Sequence, residues 1–249
     1  MSNAALVSII MPLYNSENFI EGSIASVVAQ TYPLWELIVV DDKSTDNSPN
    51  IVESYVRKDN RIKLITLDSN MGPTNARNRA IKEARGKYIA FLDSDDVWLP
   101  DKLQYQVSFL HENNLVLTYS AYETMDENSV YINTRYSLPF ITYKDMLKSN
   151  QIGNLTGIYD VDYFGKMYLD DIGHEDYVLW LKLLKEIQYT RGLTQTLARY
   201  RIVSNSVSGN KLKVLKWQWY IYRKVEKLTI FQSSYYFIFY IYNALKKRS

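Results

Sequence analysis

The chain has 249 residues, of which 47% are hydrophobic and 22% are charged. These proportions are ordinary for a globular protein and exclude a disordered, collagen-like or coiled-coil chain. There is no cysteine and there are two histidines, which excludes a disulfide framework, a thiolate zinc site, a cysteine nucleophile and a histidine-rich metal cage. The length fits one large domain, or one domain with an appendage.

Formal charge is divided unevenly along the chain. Residues 1–208 carry a net charge of −6, whereas residues 209–249 carry +8 and hold 11 of the 35 aromatic residues. We therefore predict a main domain over residues 5–208 and a basic, aromatic, helical appendage over residues 209–249. No basic region followed by an apolar run precedes the main domain, so we expect a cytoplasmic location.

Four short apolar runs in the first half have the near-continuous pattern of strands that are buried on both faces. Helical periods separate them, which predicts a βαβαβαβ order and an α/β fold, with a mostly parallel sheet and a nucleotide-binding half over residues 5–120. We expect Ser48 to cap a helix with Pro49 in its first turn, and Gly86 to end the next helix in a left-handed conformation. The four predicted strands are residues 6–11, 36–40, 62–67 and 88–92.

The second half of the main domain gives weaker signals. Residues 131–156 are polar and aromatic without a clear period, whereas residues 176–184 have a helical period. We expect a mixed subdomain over residues 121–208 that lies on the acceptor side of the nucleotide-binding half.

Acidic side chains follow three of the predicted strands. Because ligands of open α/β sheets bind outside the carboxyl ends of the strands, these side chains should meet at one rim. A lone aspartate there is usually a helix cap, but a cluster of like charges needs a compensating cation, and oxygen ligands suit Mg²⁺ or Mn²⁺. The seven acidic residues are Glu17, Asp41, Asp42, Asp46, Asp93, Asp95 and Asp96.

Glycine-rich phosphate loops are absent from the sequence. Neither a GxGxxG nor a GxxxxGK[ST] pattern occurs, which disfavours a dinucleotide or P-loop site. A diphosphate still needs a basic partner, and Arg77 lies on a predicted helix beside the sheet edge. The alternative for Arg77 is a solvated helical arginine.

Together these motifs resemble an inverting family 2 glycosyltransferase with the GT-A fold, similar to bacterial enzymes of cell-wall and capsule polysaccharide synthesis. The resemblance covers about residues 6–208. It is carried by PLYN at 12–15, DDxSxD at 41–46, NxGxxxARN at 70–78, DxD at 93–95 and the Glu175-Asp176 pair before a helix.

The resemblance implies roles for individual residues. Asp95 would hold the metal on the diphosphate, Asp176 would be the catalytic base, and Glu175 is the second candidate for that base. Ala80 and Val203 depart from the family pattern, which has a glycine and, in some members, a metal-binding histidine at these positions. The expected nucleotide-sugar-binding residues are Pro12, Tyr14, Glu17, Asp42, Arg77, Asp93, Ser94, Arg199 and Arg201, with Ser206 and Ser208 in the segment that closes over the diphosphate.

The implied reaction requires these residue types. An acceptor hydroxyl attacks the anomeric carbon and a nucleoside diphosphate leaves, so a Lewis acid assists the leaving group. A carboxylate on the opposite face can remove the hydroxyl proton. For Glu175 and Asp176 the alternative is a favourable interaction with the helix dipole, and His174 is either an assisting group or a hydrogen-bonded neighbour.

Two other function classes stay open at this point. A nucleotidyltransferase would also use a nucleotide and a metal, and a non-catalytic protein could bind nucleic acid through the basic tail. The acidic main domain argues against nucleic acid. We expect a UDP-sugar donor, a glycan or lipid-linked acceptor, and transfer of one sugar per encounter in bacterial surface polysaccharide synthesis.

The tail contains an uncharged stretch over residues 228–245 between basic flanks. As a helix it would span about 27 Å, short of a hydrocarbon core of about 30 Å. Aromatic residues favour the interfacial layer, so we expect the tail to lie on the anionic inner face of the cell membrane. The alternatives are a hairpin packed on the main domain and an oligomer interface.

Overall fold

The computed structural model describes residues 5–203 and 211–246. Its first half alternates strands and helices, as the sequence predicts, and each predicted strand agrees with the observed one within two residues at either end. The α/β class is therefore confirmed. The elements are β1 (Val7–Leu13), α1 (Ile20–Val28), β2 (Trp35–Asp41), α2 (Ser48–Val56), β3 (Ile62–Thr66), α3 (Pro73–Glu83) and β4 (Tyr88–Phe91).

The second half supplies antiparallel partners for this sheet. Its elements are β5 (Val97–Trp98), α4 (Lys102–Glu112), β6 (Leu117–Met125), β7 (Tyr131–Arg135), α5 (Tyr143–Lys148), a 3-10 turn (Asn154–Thr156), β8 (Ile158–Asp160), α6 (Val161–Phe164), α7 (Glu175–Glu186) and β9 (Arg191–Arg201).

Within the described residues these strands form one nine-stranded sheet with the order β3-β2-β1-β4-β8-β6-β9-β5, and β7 pairs with β6. Pairing is parallel from β3 through β4 and again between β6 and β9, and antiparallel at the other contacts. The sheet is therefore more mixed than the sequence predicts.

Helices cover both faces of the sheet, which explains the near-continuous apolar strands. Alternate side chains of β1 point to opposite faces of the sheet. Ile9 and Met11 pack with α1 and α4, whereas Ile10 packs with α3 and α7. Since all seven residues of β1 are buried, the strand holds its carboxyl end, where the polar residues begin, in a fixed position.

Two predicted helix signals are wrong in detail. Asn47 is the N-cap of α2, and Ser48 lies inside the first turn, where its hydroxyl accepts from the backbone N–H of Ser16. Gly86 does not adopt a positive φ. A Cβ at Gly86 would lie 2.6 Å from the backbone nitrogen of Ser8, so close packing against β1 requires the glycine.

The tail folds into α8 (Lys211–Tyr220), a π-helical turn (Ile221–Val225) and α9 (Ile230–Lys246). Ile221 and Tyr222 are fully buried in the core cluster that also contains residues of α7. No helix within residues 5–203 and 211–246 has the length and apolar character needed to cross a bilayer.

Polar contacts also join the tail to the main domain. The Tyr222 hydroxyl donates to the carbonyl of Leu147. Glu226 is buried, accepts from the Tyr143 hydroxyl and pairs with Lys185 at 2.5 Å. The tail, formed by α8, the π-helical turn and α9, therefore packs on the main domain. This agrees with one of the alternatives that the sequence left open.

Candidate active site

Two cavities meet at the carboxyl edge of the parallel strands. The first, which we call the strand-end cavity, has a volume of about 450 Å³ and lies where β1, β2 and β4 end. The second, the α7 cavity, has a volume of about 280 Å³ and lies at the start of α7. Arg77 and Asp93 line both. Strand-end cavity residues are Pro12, Leu13, Tyr14, Asp42, Asn70, Gly72, Pro73, Arg77, Asp93, Ser94 and Asp95.

Asp42 shapes the floor of the strand-end cavity. Its two carboxylate oxygens accept from the backbone N–H groups of Met71 at 2.7 Å and Gly72 at 2.8 Å. Gly72 has a φ of 88°, a conformation that favours glycine, so the 70–73 loop can approach β2 closely. Asp42 therefore fixes the loop that leads into α3.

Ser94 and Glu17 were both predicted to bind the donor, but only Ser94 lines one of the two cavities. Ser94 is buried, lines the strand-end cavity and shares a 2.8 Å hydrogen bond with the Ser16 hydroxyl. Glu17 lies outside the lining of both cavities, because its carboxylate accepts from the backbone N–H of Asn47 at 2.9 Å. Glu17 thus joins the loop after β1 to the start of α2.

Arg77 lies between the two cavities and forms ion pairs with two carboxylates, Asp93 and Glu175. Its guanidinium donates to Asp93 at 2.6 Å and to Glu175 at 2.8 Å, and the side chain is only 10% exposed. Burial by itself lowers the pKa of Arg77, but Asp93 and Glu175 outweigh it and raise this pKa above its ordinary value. The arginine therefore stays charged and holds the end of β4 against the start of α7.

Asp93, Asp95 and Asp96 follow β4 and lie close together, and Asp95 and Asp96 are largely shielded from solvent. Burial, followed by the charge of Asp93, raises the pKa of Asp95 to about 6. Burial and the charges of Asp95 and Asp93 also raise the pKa of Asp96 well above its usual range. Asp96 already accepts from the backbone N–H of Arg201 at 2.8 Å, whereas Asp95 lines the strand-end cavity.

The sequence predicts a divalent ion among these carboxylates. Within residues 5–203 and 211–246, no group of three or more acidic or histidine side chains is arranged to hold a metal. Mg²⁺ commonly binds one or two carboxylates and completes its shell with waters and substrate phosphates. The negative surroundings of Asp95 fit that arrangement, in which Asp95 would be the protein ligand.

The two arginines of β9 do not reach either cavity. Arg199 donates to Glu123 at 2.9 Å on the neighbouring strand. The Arg201 guanidinium donates to the carbonyl of Asp95 at 2.8 Å and to that of Asp126 at 3.0 Å. In this structure Arg201 supports the turn that carries Asp95, and Arg199 joins β9 to β6. Ser206 and Ser208 lie outside the described residues.

The start of α7 presents two carboxylates with different surroundings. Glu175 and Asp176 both line the α7 cavity, but the Glu175 carboxylate accepts a hydrogen bond from Arg77 at 2.8 Å. Burial and then the charge of Glu175 raise the pKa of Asp176. Since Glu175 is engaged in an ion pair, Asp176 is the better placed of the two to accept a proton.

Several residues of the α7 cavity were not found from the sequence. Tyr122 and Tyr200 meet edge to face at 6.4 Å between ring centroids, and Asn150 and Asn154 complete the wall. No motif marks Tyr122, Asn150 or Asn154, and in the sequence Tyr200 stands out only as part of the basic segment at residues 199–201. The pairing of β6 with β9 brings the two tyrosines together. The hydrophobic period of a single segment carries no information about which strands pair.

The sequence profile of glycosyl transferase family 2 matches residues 8–169. The chain belongs to this family. It is therefore a glycosyltransferase, as the sequence motifs indicate, and family membership argues against the nucleotidyltransferase and nucleic-acid-binding alternatives.

Relatives with assigned roles extend over almost the whole chain. The chain is 40% identical to the putative teichuronic acid biosynthesis glycosyltransferase TuaG of Bacillus subtilis, over 98% of this chain and 97% of that protein. It is 42% identical to WfgD of Escherichia coli, named as a UDP-Glc:alpha-D-GlcNAc-diphosphoundecaprenol beta-1,3-glucosyltransferase, over 86% of this chain and 84% of that protein. The predicted similarity to bacterial cell-wall and capsule enzymes is confirmed.

Solved structures share the fold. TarS 1–349 of S. aureus in complex with UDP-GlcNAc superposes with a TM-score of 0.71 at 22% identity, over 88% of this chain and 66% of that chain. The mannosyltransferase PcManGT of Pyrobaculum calidifontis, in complex with GDP-Man and Mn²⁺, gives a TM-score of 0.60 at 19% identity, over 86% of this chain and 61% of that chain. At these identities the likeness confirms the GT-A fold.

Proposed function

We propose that this glycosyltransferase moves a sugar from a UDP-sugar to a hydroxyl of a glycan or lipid-linked acceptor, with inversion and with Mn²⁺ or Mg²⁺, in bacterial surface polysaccharide synthesis. The observation that carries the proposal is the junction of the two cavities at Arg77 and Asp93. A donor in the strand-end cavity would present its sugar at this junction, and an acceptor in the α7 cavity would approach it from the side of Asp176.

The donor half of the proposal rests on the strand-end cavity. Tyr14 is 49% exposed beside Pro12, so its ring can cover a uracil base, and Asp42 and Ser94 border the same space. WfgD is named for a UDP-Glc donor and TarS has been solved with UDP, which supports uridine as the nucleoside. Asp93 would approach the ribose.

The departing diphosphate would lie near Asp95. When bound there, Mn²⁺ or Mg²⁺ supplies Lewis-acid stabilisation of the negative charge that grows on the leaving group. Arg77 contributes a fixed positive charge next to the same place, and Arg201 holds the backbone of Asp95. Arg77 would thus face the diphosphate directly, whereas Arg201 would act on it only by fixing the position of Asp95.

The acceptor half of the proposal assigns the proton to Asp176. The acceptor hydroxyl forms the new bond to the anomeric carbon and gives its proton to an Asp176 oxygen as the bond to the diphosphate breaks. The base and the leaving group lie on opposite sides of the reacting carbon in this arrangement. A single displacement then inverts the configuration of that carbon.

A UDP-sugar panel tests the proposal directly. We expect metal-dependent hydrolysis or transfer with at least one UDP-sugar when Mn²⁺ or Mg²⁺ is present, and loss of that activity with a chelator. Asp95→Asn should remove the metal dependence of donor binding measured by calorimetry, because it removes the proposed metal ligand.

Asp68→Asn is the matched control for this experiment. Asp68 is exposed just after β3, at the same sheet edge but outside both cavities, so this variant should retain the metal dependence. Equal donor affinity with metal and with chelator in the unsubstituted protein would contradict the metal role, and no activity with any UDP-sugar would contradict the donor assignment.

We also propose that the enzyme is peripheral on the inner face of the cell membrane, through the outer face of α9. Phe231, Ile238 and Tyr242 are 85%, 67% and 61% exposed, and Tyr235 lies between them on the same face. The segment carries the basic charge identified from the sequence. Aromatic burial together with attraction of basic residues to anionic lipid gives the two signals that stable membrane attachment requires.

Substitution of the α9 face is the appropriate test, because truncation would expose the core that Ile221 and Tyr222 fill. We expect the triple variant Phe231→Ser, Ile238→Ser, Tyr242→Ser to lose sedimentation with anionic liposomes while donor hydrolysis is retained. A matched triple variant at the exposed hairpin around β7, Val130→Ser, Tyr131→Ser, Tyr136→Ser, should still sediment. Equal sedimentation of all three proteins would overturn this proposal.

A further inference from the structure

A groove lies between α8 and the loop that precedes α7. It has a volume of about 460 Å³ and is lined by Asp171, Ile172, Lys216, Trp217 and Tyr220. We call it the α8 groove. The tail, which the sequence predicted as an appendage over residues 209–249, supplies three of these five residues.

The α8 groove adjoins the α7 cavity through one pair of rings. His174 lines the α7 cavity and meets Trp217 edge to face, with 5.2 Å between ring centroids and 87° between planes. A Cβ at Gly173 would lie 2.5 Å from the Trp217 ring, so the indole packs directly on the backbone that leads to Glu175. One residue, His174, therefore separates the groove from the proposed base and its neighbour.

The chemistry of the groove suits a sugar ring. A pyranose has an apolar C–H face that can cover an aromatic ring, and hydroxyl groups at its edge that need hydrogen-bond donors and acceptors. Trp217 and Tyr220 offer aromatic surface, while Lys216 and Asp171 offer a donor and an acceptor beside it. Tyr220 is 46% exposed, so its ring is accessible from solution.

We propose that the α8 groove binds a pyranose of the acceptor glycan, adjacent to the sugar that carries the attacking hydroxyl. This inference rests on the proposed function, because it assumes that the acceptor occupies the α7 cavity. The groove lies next to that cavity on the side of His174, whereas the proposed donor lies beyond Arg77. Lys216 and Asp171 have opposite charges, so the groove favours a neutral sugar over a phosphate.

A ¹⁹F NMR experiment tests sugar binding without turnover. The full chain contains five tryptophans and would be labelled with 5-fluorotryptophan, with the Trp217 resonance assigned from Trp217→Phe. The probes are methyl glycosides and β-linked disaccharides of glucose, galactose, N-acetylglucosamine, N-acetylgalactosamine, rhamnose and glucuronate. We expect at least one disaccharide to shift Trp217 and to leave Trp35 unchanged, since Trp35 is buried at 1% exposure.

Steady-state kinetics supply the second readout, with the unsubstituted protein and the acceptor on which it is active. Tyr220→Ala should raise the acceptor KM about tenfold with little change in kcat or in donor KM, because it removes aromatic contact area only. Trp217→Ala should also raise the acceptor KM, and it should lower kcat as well, because the indole packs on Gly173 and His174 at the start of α7; Trp217→Phe should restore part of both losses. The ring that packs on Gly173 and His174 is that of Trp217, so the Tyr220 variant separates sugar binding from support of α7.

The outcomes separate the two proposals. The subsite proposal is overturned if no sugar of the panel shifts Trp217, or if the acceptor KM of Tyr220→Ala equals that of the unsubstituted protein. Failure of the unsubstituted protein to transfer any UDP-sugar overturns the proposed function instead, and the NMR titration still decides whether the groove binds a sugar.

Discussion

Asp176→Asn is expected to reduce sugar transfer by about 10²- to 10⁴-fold, the usual contribution of a general base, and to leave donor affinity unchanged. The amide keeps the shape of the side chain but cannot accept the hydroxyl proton. Asp176 lines the α7 cavity, away from the strand-end cavity where the donor would bind. Transfer rates and calorimetric titration with the donor would separate the two effects.

The pH dependence gives an independent test of the same role. Burial and Glu175 raise the pKa of Asp176, and a base must be unprotonated to act. Transfer should therefore fall as pH decreases through that raised pKa, at a higher pH than for an ordinary aspartate. The part of this acidic limb that Asp176 causes should be absent from the residual activity of Asp176→Asn, whereas a limb due to Asp95, whose pKa is raised to about 6, should remain.

Glu175→Gln is the matched variant, because it also replaces a carboxylate with an amide of the same shape. Its main expected effect is a shift of the acidic limb to lower pH, since the charge that helps to raise the Asp176 pKa is removed. Unchanged transfer in Asp176→Asn, together with a 10²-fold or larger loss in Glu175→Gln, would move the base to Glu175.

The parallel half of the fold was predictable because its signals are local. Each strand is a short apolar run, each helix has its own period, and the polar residues that follow each strand meet at one rim by the geometry of parallel sheets. The neighbours Asp42, Asp93 and Asp95 were found in this way. Their convergence needs no knowledge of the rest of the chain.

The other half of the site depends on contacts between distant segments. Tyr122 and Tyr200 come together through the pairing of β6 with β9, and Trp217 reaches His174 because α8 packs beside α7. The family resemblance placed Arg199 and Arg201 among the nucleotide-sugar-binding residues, but strand register determines the partners of their side chains in the structure. Local patterns do not encode these pairings.

The roles of Arg77 could not be separated from the sequence either. A helical arginine near a sheet edge can be solvated, can bind phosphate or can bridge carboxylates, and these possibilities have the same local pattern. In the structure, the two terminal nitrogens of the buried Arg77 guanidinium form ion pairs, one with Asp93 and the other with Glu175. The sequence indicated only a possible diphosphate contact for Arg77, but in the structure its side chain also links β4 to α7.

Arg77→Met is therefore expected to lower the free energy of unfolding by about 3–5 kcal/mol, the usual cost of removing one partner from a buried ion pair. The substitution leaves Asp93 and Glu175 close together without their shared positive charge. Arg77→Lys should restore only part of the loss, because one ammonium group cannot reproduce the planar fork that holds two carboxylates. Urea denaturation monitored by circular dichroism gives the values.

The nearby residue Arg79 supplies a matched control on the same helix. It is 44% exposed and pairs with Glu83 at 3.1 Å, so Arg79→Met should change stability by less than about 1 kcal/mol. A double variant, Arg77→Met with Glu175→Gln, should be more stable than the two separate losses predict, because the second change removes a charge that the first left unpaired. Strict additivity of the two losses would mean that Arg77 does not join β4 to α7 through Glu175, and the role of the ion pair in aligning the two cavities would have to be abandoned.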